Sequence, residues 1–439
     1  MKPKSVKKAL NDTIDAMTEC KWMFSVRPGK DNTRNRKFPF QKMISSILAF
    51  RSGSLNREIM DHFGFDPSVG SSSAFIQQRA KILPEAFEYL FQSFIEKTDE
   101  NKRYCGYRLL AVDGSDLQIA ANPNDPDSFF PGTDMQKPYN LLHINAMYDL
   151  LQSTYPDALV QKRRYWDEHD AVIQMVDRSP IDNALLLADR GYESYNNLAH
   201  IQEKGWHFLI RIKDGTNGIA SSLTLPDTED YDIPFDIALT RKQTNETKLL
   251  FKDRNHYRFL SSTTRFDYLP SSSHKHDPTV FYDLHFRIVR FPISDTVCES
   301  IITNLDPELF PASEIKSLYA MRWGIETSFR DLKHTLGLLH LHAKKVEFVL
   351  QEIFAKLTMY NFCELITQSV VIQQGKRKHN YKVNFSDSVH ICFEFFLGKL
   401  SPLKLETLLA KFISPIRPGR SDKRKLSQRT AVSFLYRVA

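Results

Sequence analysis

The sequence predicts an α/β protein: a mixed sheet flanked by helices, interrupted by a β-rich insertion, with helical regions at both ends. Three observations predict it. Residues 101–213 carry apolar and alternating runs in the order three strands, helix, strand, helix, strand, as a sheet with helices packed on it requires. Residues 214–300 break that rhythm into short alternating segments. Residues 1–100 and 346–439 repeat apolar residues mostly at helical spacing.

In the first hundred residues, 38–50 is a compact amphipathic helix, and 55–63 and 74–94 follow, parted by the turn cluster PSVGSSS at 67–73. A Gly/Ser break between short helices resembles a helix-turn-helix. A serine would cap a helix carrying Gln77, Gln78, Arg79 and Lys81 toward DNA. An all-helical cap that touches no DNA has the same pattern. From Tyr107, YRLLAVDGSDLQIA is a buried strand ending at Asp113-Gly114-Ser115. LLHINAMYDLL (141–151) and ALVQKRRY (158–165) are the next strands, and 169–178 is a helix. ALLLADRGY (184–192) is an apolar strand that stops at Asp189-Arg190-Gly191. A helix stopped by Gly205 and a strand at 206–213 complete this part.

Within 214–300, KLLFKDRNHYRFL and TVFYDLHFRIVRFPI alternate as strands, with a loop at 270–278. His274 and His276 in that loop have no cysteine partners, which argues against zinc. SIITNL (300–305) returns as a strand, and Pro311 opens the next element. Residues 301–345 carry a helix over 319–333. A long helix (345–373), a basic linker (374–380), a helical pair to about 413 and a basic tail close the chain.

The 439 residues leave room for two or three domains and a large core. No run of 18 apolar residues occurs, and the basic N-terminus lacks the apolar stretch of a signal peptide. Five scattered cysteines without a CxxC pair fit buried thiols in a reducing cytoplasm. The net charge of +7 is uneven: residues 1–40 hold ten Lys/Arg against four acids, 411–439 hold eight against one, and the body between carries −6. Basic ends suggest a polyanion partner, nucleic acid first, although basic tails also serve solubility.

The stretch 319–333 has two stripes. Leu318, Met321, Ile325, Leu332, Leu336 and Leu339 form a core-facing one, with Trp323 and Phe329 as further packing residues. Beside it, Tyr319, Arg322, Glu326 and Lys333 stack at spacings of three, four and seven. A lone carboxylate thus stands among three residues suited to phosphates; alone, the Arg-Glu pair is an ordinary helix-surface contact. Upstream, Asp113 and Asp189 each end a buried strand, where an unpaired carboxylate is costly. Three converging carboxylates would give hard oxygen ligands to two divalent ions for phosphoryl transfer. Each Asp alone also fits a turn. Asp116 reads as a turn residue or a fourth carboxylate, Arg190 as a phosphate contact or a partner of Asp189, and His143 as a satisfied buried histidine. Asp134 and Lys137 lie in a loop that either lines a DNA groove or is simply solvated.

The set VDGS, ADRGY and Y-x2-R-x3-E-x6-K resembles the DDE transposases of the insertion-sequence-four family, over residues 40–345 and more loosely beyond. The resemblance implies a ribonuclease H-like core in two parts, 101–213 and 301–345, around the 214–300 insertion. It implies a DNA-binding region in 1–100 and dimerisation through 346–439. Asp113, Asp189 and Glu326 would be the catalytic triad, holding two Mg²⁺ or Mn²⁺ ions. Tyr319, Arg322 and Lys333, with Arg190, would contact DNA phosphates. The implied activity is cleavage at the element's terminal inverted repeats and strand transfer to target DNA, by a homodimer on double-stranded DNA in the bacterial cytoplasm at the nucleoid, with no membrane involved. Some members stack an insertion aromatic on a flipped base; 215–300 has no Trp, so Phe281, Tyr282 or Phe286 would have to serve. Two other readings stay open. One is a metal-dependent nuclease without strand transfer, against which the 319–333 motif weighs. The other is an idle DNA-binding descendant, against which the intact carboxylates weigh.

Overall fold

The computed structural model describes residues 1–34, 37–133, 136–213, 218–270, 280–294, 297–372 and 380–416. Asp134, the loop at 270–278 from residue 271 onward with its two histidines, the linker up to residue 379, and the basic tail from residue 417 lie outside these residues.

Five helices open the chain: α1 (Pro3–Glu19), α2 (Phe40–Ala49), α3 (Leu55–His62), α4 (Ser72–Arg79) and α5 (Glu85–Thr98). Ser71 caps α4, its Oγ accepting from the Ala74 N–H at 3.3 Å. The segment 74–94, expected as one helix, is two. Pro84 disfavours helix at Leu83, and Leu83 N–H instead reaches the Phe24 carbonyl at 3.0 Å. Arg79 does not face solvent or DNA; it is 2 % exposed.

The sheet follows: β1 (Arg108–Ile119), β2 (Phe129–Phe130), β3 (Tyr139–Asp149), β4 (Thr154–Lys162), α6 (Glu168–Arg178), β5 (Ala184–Ala188), α7 (Tyr195–Glu203) and β6 (His207–Arg211). β1 pairs antiparallel with β3, and β3 with β4, while β1, β5 and β6 run parallel. The first half of β1 is buried on both faces, as its unbroken apolar run demands. It does not end at Asp113. Pairing with β3 carries it on to Ile119, with a more exposed stretch at Asp113–Asp116 before Leu117 and Ile119 are buried again.

The segment 214–300 adds β7 (Tyr231–Thr240), α8 (Asn245–Leu250), β8 (Tyr257–Phe259), β9 (Tyr282–Ser294) and most of β10 (Val297–Thr303). These strands continue the same sheet in the order β6-β10-β9-β7-β8. The stretch at 248–260, expected as a strand, begins in α8, which Thr244 caps through the Thr247 N–H at 3.2 Å, and only its end is β8.

α9 (Ala312–Met321) and α10 (Trp323–Arg330) replace the single helix expected over 319–333. At Arg322 the ladder tightens: Arg322 N–H reaches the Tyr319 carbonyl, and Ile325 N–H the Arg322 carbonyl, each three residues back at 3.1 Å. At Asp331–Thr335 it loosens into a π turn, Leu336 N–H reaching back five residues to Asp331 at 3.0 Å. Gly324 lets α10 close on Leu150, where a Cβ would stand 2.9 Å from the leucine side chain. The expected stripe holds at Leu318, Ile325, Leu332 and Leu336, which are buried, whereas Met321 and Leu339 are half-buried. Trp323, expected to pack the helix, is 53 % exposed, with the Arg322 guanidinium over its ring at 5.5 Å.

α11 (Val346–Ser369) is buried around most of its circumference, between α1, α2, α5 and α12 (Phe385–Phe396). α13 (Pro402–Leu409) packs on α12, and the strands β11 (Tyr381–Val383) and β12 (Ile413–Pro415) form a small hairpin-like pair. One face of the β3–β1 region thus rests on the all-helical core, and the β5–β6 region is covered on both faces.

Candidate active site

The two aspartates are brought together by strand register. Ala111 of β1 pairs with Leu187 of β5 in parallel, so Asp113 and Asp189 stand two residues beyond one pair on neighbouring strands. Parallel strands lie about 4.8 Å apart, which makes the two neighbours. Among the described residues, Asp113 Oδ1 accepts only the next residue's N–H, Gly114, at 2.9 Å. Asp189 Oδ1 caps its own turn by accepting from Gly191 N–H at 2.7 Å.

α10 packs against β1 and supplies Glu326, whose Oε1 accepts from Arg322 Nη2 at 2.9 Å. Asp113 feels the other two carboxylates. Burial pushes the Asp113 carboxyl up to about 6, and the charges of Asp189 and Glu326 push in the same direction, against Arg322 and the Gly114 N–H.

Two buried polar atoms of the 319–333 motif have no hydrogen-bond partner among the described residues: the Tyr319 hydroxyl and Arg322 Nε. Burial raises the Tyr319 hydroxyl to about 12, so it stays a neutral donor. Arg322 is 5 % exposed; burial opposes its charge, but Tyr319, Glu326 and Asp113 outweigh it. Lys333 sits on the π turn and ties down β1, its Nζ donating to Ser115 Oγ at 2.7 Å and the Asp116 carbonyl at 2.9 Å. Burial lowers its pKa, while Asp116 and Asp113 oppose that. Arg190 is exposed on the turn after Asp189 and makes no ion pair with it among the described residues.

Asp116 is not a turn residue. It lies within β1 and pairs with His143 Nδ1 at 2.7 Å and Arg163 Nε at 3.3 Å. His143 is buried, as expected, but only its Nδ1 is hydrogen-bonded among the described residues, to Asp116; Nε2 lies 3.0 Å from Glu168 Oε1 as an ion-pair contact without hydrogen-bond geometry. The sequence reading missed Glu168. Its only signal there is an acid in the first turn of a helix, a common helix-start feature.

The insertion aromatics are engaged elsewhere. Phe286 is in the core, Tyr282 donates to Glu203 at 2.9 Å, and Phe281 packs on Tyr257. Among the described residues, no three His, Cys, Asp or Glu side chains close into a ready metal cage. Carboxylates are nevertheless the oxygen donors that hard cations take.

A family model described as "Transposase DDE domain" matches residues 104–362, which span both aspartates and Glu326. The chain is 22 % identical over 429 residues to the transposase InsG of insertion sequence element IS4 from Escherichia coli K12, covering 91 % of this chain and 88 % of that one. It also aligns, at 11 % identity and a TM-score of 0.44, with a piggyBac transposase in a synaptic complex with hairpin DNA, covering 96 % of this chain and 87 % of that one. That last likeness is too loose to carry an argument. The chain belongs to the DDE transposase family, of the insertion-sequence-four kind.

Proposed function

We propose that the chain cleaves and joins DNA at the ends of an insertion sequence, with Asp113, Asp189 and Glu326 as the working triad. The observation that carries this reading is the shared register of Asp113 and Asp189, with Glu326 electrostatically coupled to Asp113 from α10. The order β4-β3-β1-β5-β6, three antiparallel strands followed by two parallel ones, supports a ribonuclease H-like core. The strands from 214–300 then form an insertion that lengthens the sheet beyond β6.

The three carboxylates would hold two divalent cations, Mg²⁺ or Mn²⁺, which supply an activated attacking oxygen and charge neutralisation at phosphorus. Tyr319 and Arg322 would donate to a phosphate of the DNA end through the two atoms left without partners. Arg322 also fixes the Glu326 carboxylate. Lys333 and the exposed Arg190 would add positive charge on either side of the triad. Recognition of the terminal inverted repeats, a homodimer on DNA and a cytoplasmic, nucleoid-associated location complete the proposal. No described helix is long and apolar enough to cross a membrane.

Glu326→Gln tests it on a duplex carrying the terminal DNA of the element that encodes the chain. The variant should bind this duplex as the wild type does and lose divalent-ion-dependent cleavage. Undiminished cleavage would refute the triad. Cleavage by the wild type without any joining to target DNA would favour the nuclease reading.

A further inference from the structure

Glu168 lies between the two segments that carry the catalytic aspartates. Its Oε1 stands 2.4 Å from where a Cβ on Gly114 would be, and its Oε2 3.9 Å from where one on Gly191 would be. Gly114 directly follows Asp113, and Gly191 closes the turn that Asp189 caps. Any side chain at position 114 would collide with both Glu168 and His143 Nε2, also 2.4 Å away. The glycine of the VDGS motif is therefore the room into which this pair fits.

The carboxylate is held at one oxygen and open at the other. Oε1 pairs with His143 Nε2 at 3.0 Å, while Oε2 meets no hydrogen-bond donor among the described residues, and the side chain keeps 26 % of its exposure. His143 is braced in turn. Asp116 takes its Nδ1 at 2.7 Å, and Trp166 lies against its ring with centroids 4.7 Å apart. Arg163 covers Trp166 at 3.7 Å and pairs with Asp116 at 3.3 Å, closing the loop of contacts. A side chain with one oxygen set against a braced histidine and the other left open is arranged for an incoming donor.

We infer that Glu168 is a fourth working carboxylate of this site, accepting the proton of the attacking water, and that His143 is its positioning residue. The inference rests on the proposed DNA cleavage. In the step, a water O–H bond breaks and its proton passes to Glu168 Oε2. The water oxygen bonds to phosphorus as the P–O3′ bond breaks. The 3′ oxygen leaves with the bonding pair and takes a proton from solvent, and Glu168 later returns its proton to solvent. The products are a 3′-hydroxyl and a 5′-phosphate.

The test compares wild type, Glu168→Gln, Glu326→Gln, His143→Ala and Glu168→Gln/His143→Ala, each checked for folding by thermal melt. Single-turnover cleavage of the terminal-DNA duplex is measured alongside Mn²⁺ binding by calorimetry. Glu168→Gln should cleave about 100-fold more slowly with unchanged Mn²⁺ affinity, within the usual range for a general base. His143→Ala should slow the wild type about tenfold and add nothing in the Glu168→Gln background, because it acts through Glu168. If Glu168→Gln cleaves within threefold of wild type while Glu326→Gln is dead, the inference fails and the triad stands. Loss of Mn²⁺ affinity in Glu168→Gln would make it a metal ligand and overturn the proton role. A wild type as inactive as Glu326→Gln would remove the proposed function and this inference with it.

Discussion

The contrast between two of the molecule's clusters of buried charge separates structure from chemistry. In the helical core, Arg79 gives Nε to Gln351 at 2.7 Å, Nη1 to Glu352 at 2.8 Å and Nη2 to the Phe348 carbonyl at 2.5 Å. Glu352 also accepts from the backbone N–H of His342 at 2.8 Å and pairs with its Nδ1 at 3.1 Å. Burial alone would raise the Glu352 pKa, but Arg79 and His342 outweigh it and hold it at about 2. At the candidate site, Asp113 has one N–H, one nearby arginine and two like charges, and burial takes it up to about 6. The first cluster closes on itself and joins α4 to α11. The second is left incomplete, as a site must be if it is to receive cations and phosphates.

The largest expected effect follows from breaking the closed cluster. Arg79→Met leaves Glu352 buried without its main counter-charge, which should cost about 3–5 kcal/mol in urea unfolding. Arg79→Met combined with Glu352→Gln should cost less than the sum of the two single changes, since no lone charge remains. A loss below about 1 kcal/mol in the single variant would show that the cluster is no clasp between the N-terminal helices and α11.

The sequence made the open cluster legible and hid the closed one. Asp113, Asp189 and Glu326 stand out because apolar runs lead into the first two and helical spacing sets the third among residues of the kinds suited to phosphates. Arg79 sits in a stretch of polar residues after a serine cap, the same pattern an exposed DNA-facing helix would show. Only α11, distant in sequence, turns it inward. Pairing across strands was likewise unreadable: β1 runs past Asp113 because β3 offers partners as far as Asn140. Glu168 and His143 meet only after β3 and α6 are folded onto β1, so no local spacing announces them. The close approach of Gly324 to Leu150, which seats α10, is another long-range contact.

The two clusters should also answer pH with opposite signs. Asp113 is raised from 3.8 to about 6, so its contribution to stability is present below about 4 and is lost as pH rises through 6. At roughly 1.4 kcal/mol per unit, that is about 3 kcal/mol. Glu352 is lowered from 4.5 to about 2, so its contribution is present above 4.5 and is lost as pH falls through 2. Urea midpoints measured with chelator from pH 7 to pH 3 separate them. Asp113→Asn should flatten the curve between pH 4 and 6, and Glu352→Gln should flatten it only below 4.5. If Asp113→Asn runs parallel to the wild type from pH 4 to 6, its carboxylate is not strained in the folded chain, and the contrast between the clusters collapses.

The smallest effect concerns Lys333, which belongs to both kinds of charge. Its two hydrogen bonds to Ser115 and Asp116 brace β1 beside Asp113, which is a structural use. Its third N–H and its positive charge near the triad suit a phosphate. Lys333→Ala should cost about 1 kcal/mol of stability for the lost bonds. If Lys333 also contacts DNA, the slope of log affinity against log salt for the terminal duplex should fall by about one, because one fewer counterion is released on binding. Arg190→Ala provides the comparison, since that side chain braces nothing among the described residues: its salt slope should fall with no change in stability. A Lys333→Ala protein that loses stability but keeps the full salt slope would place Lys333 with Arg79, as a brace. Phosphate binding would then fall to Tyr319, Arg322 and Arg190.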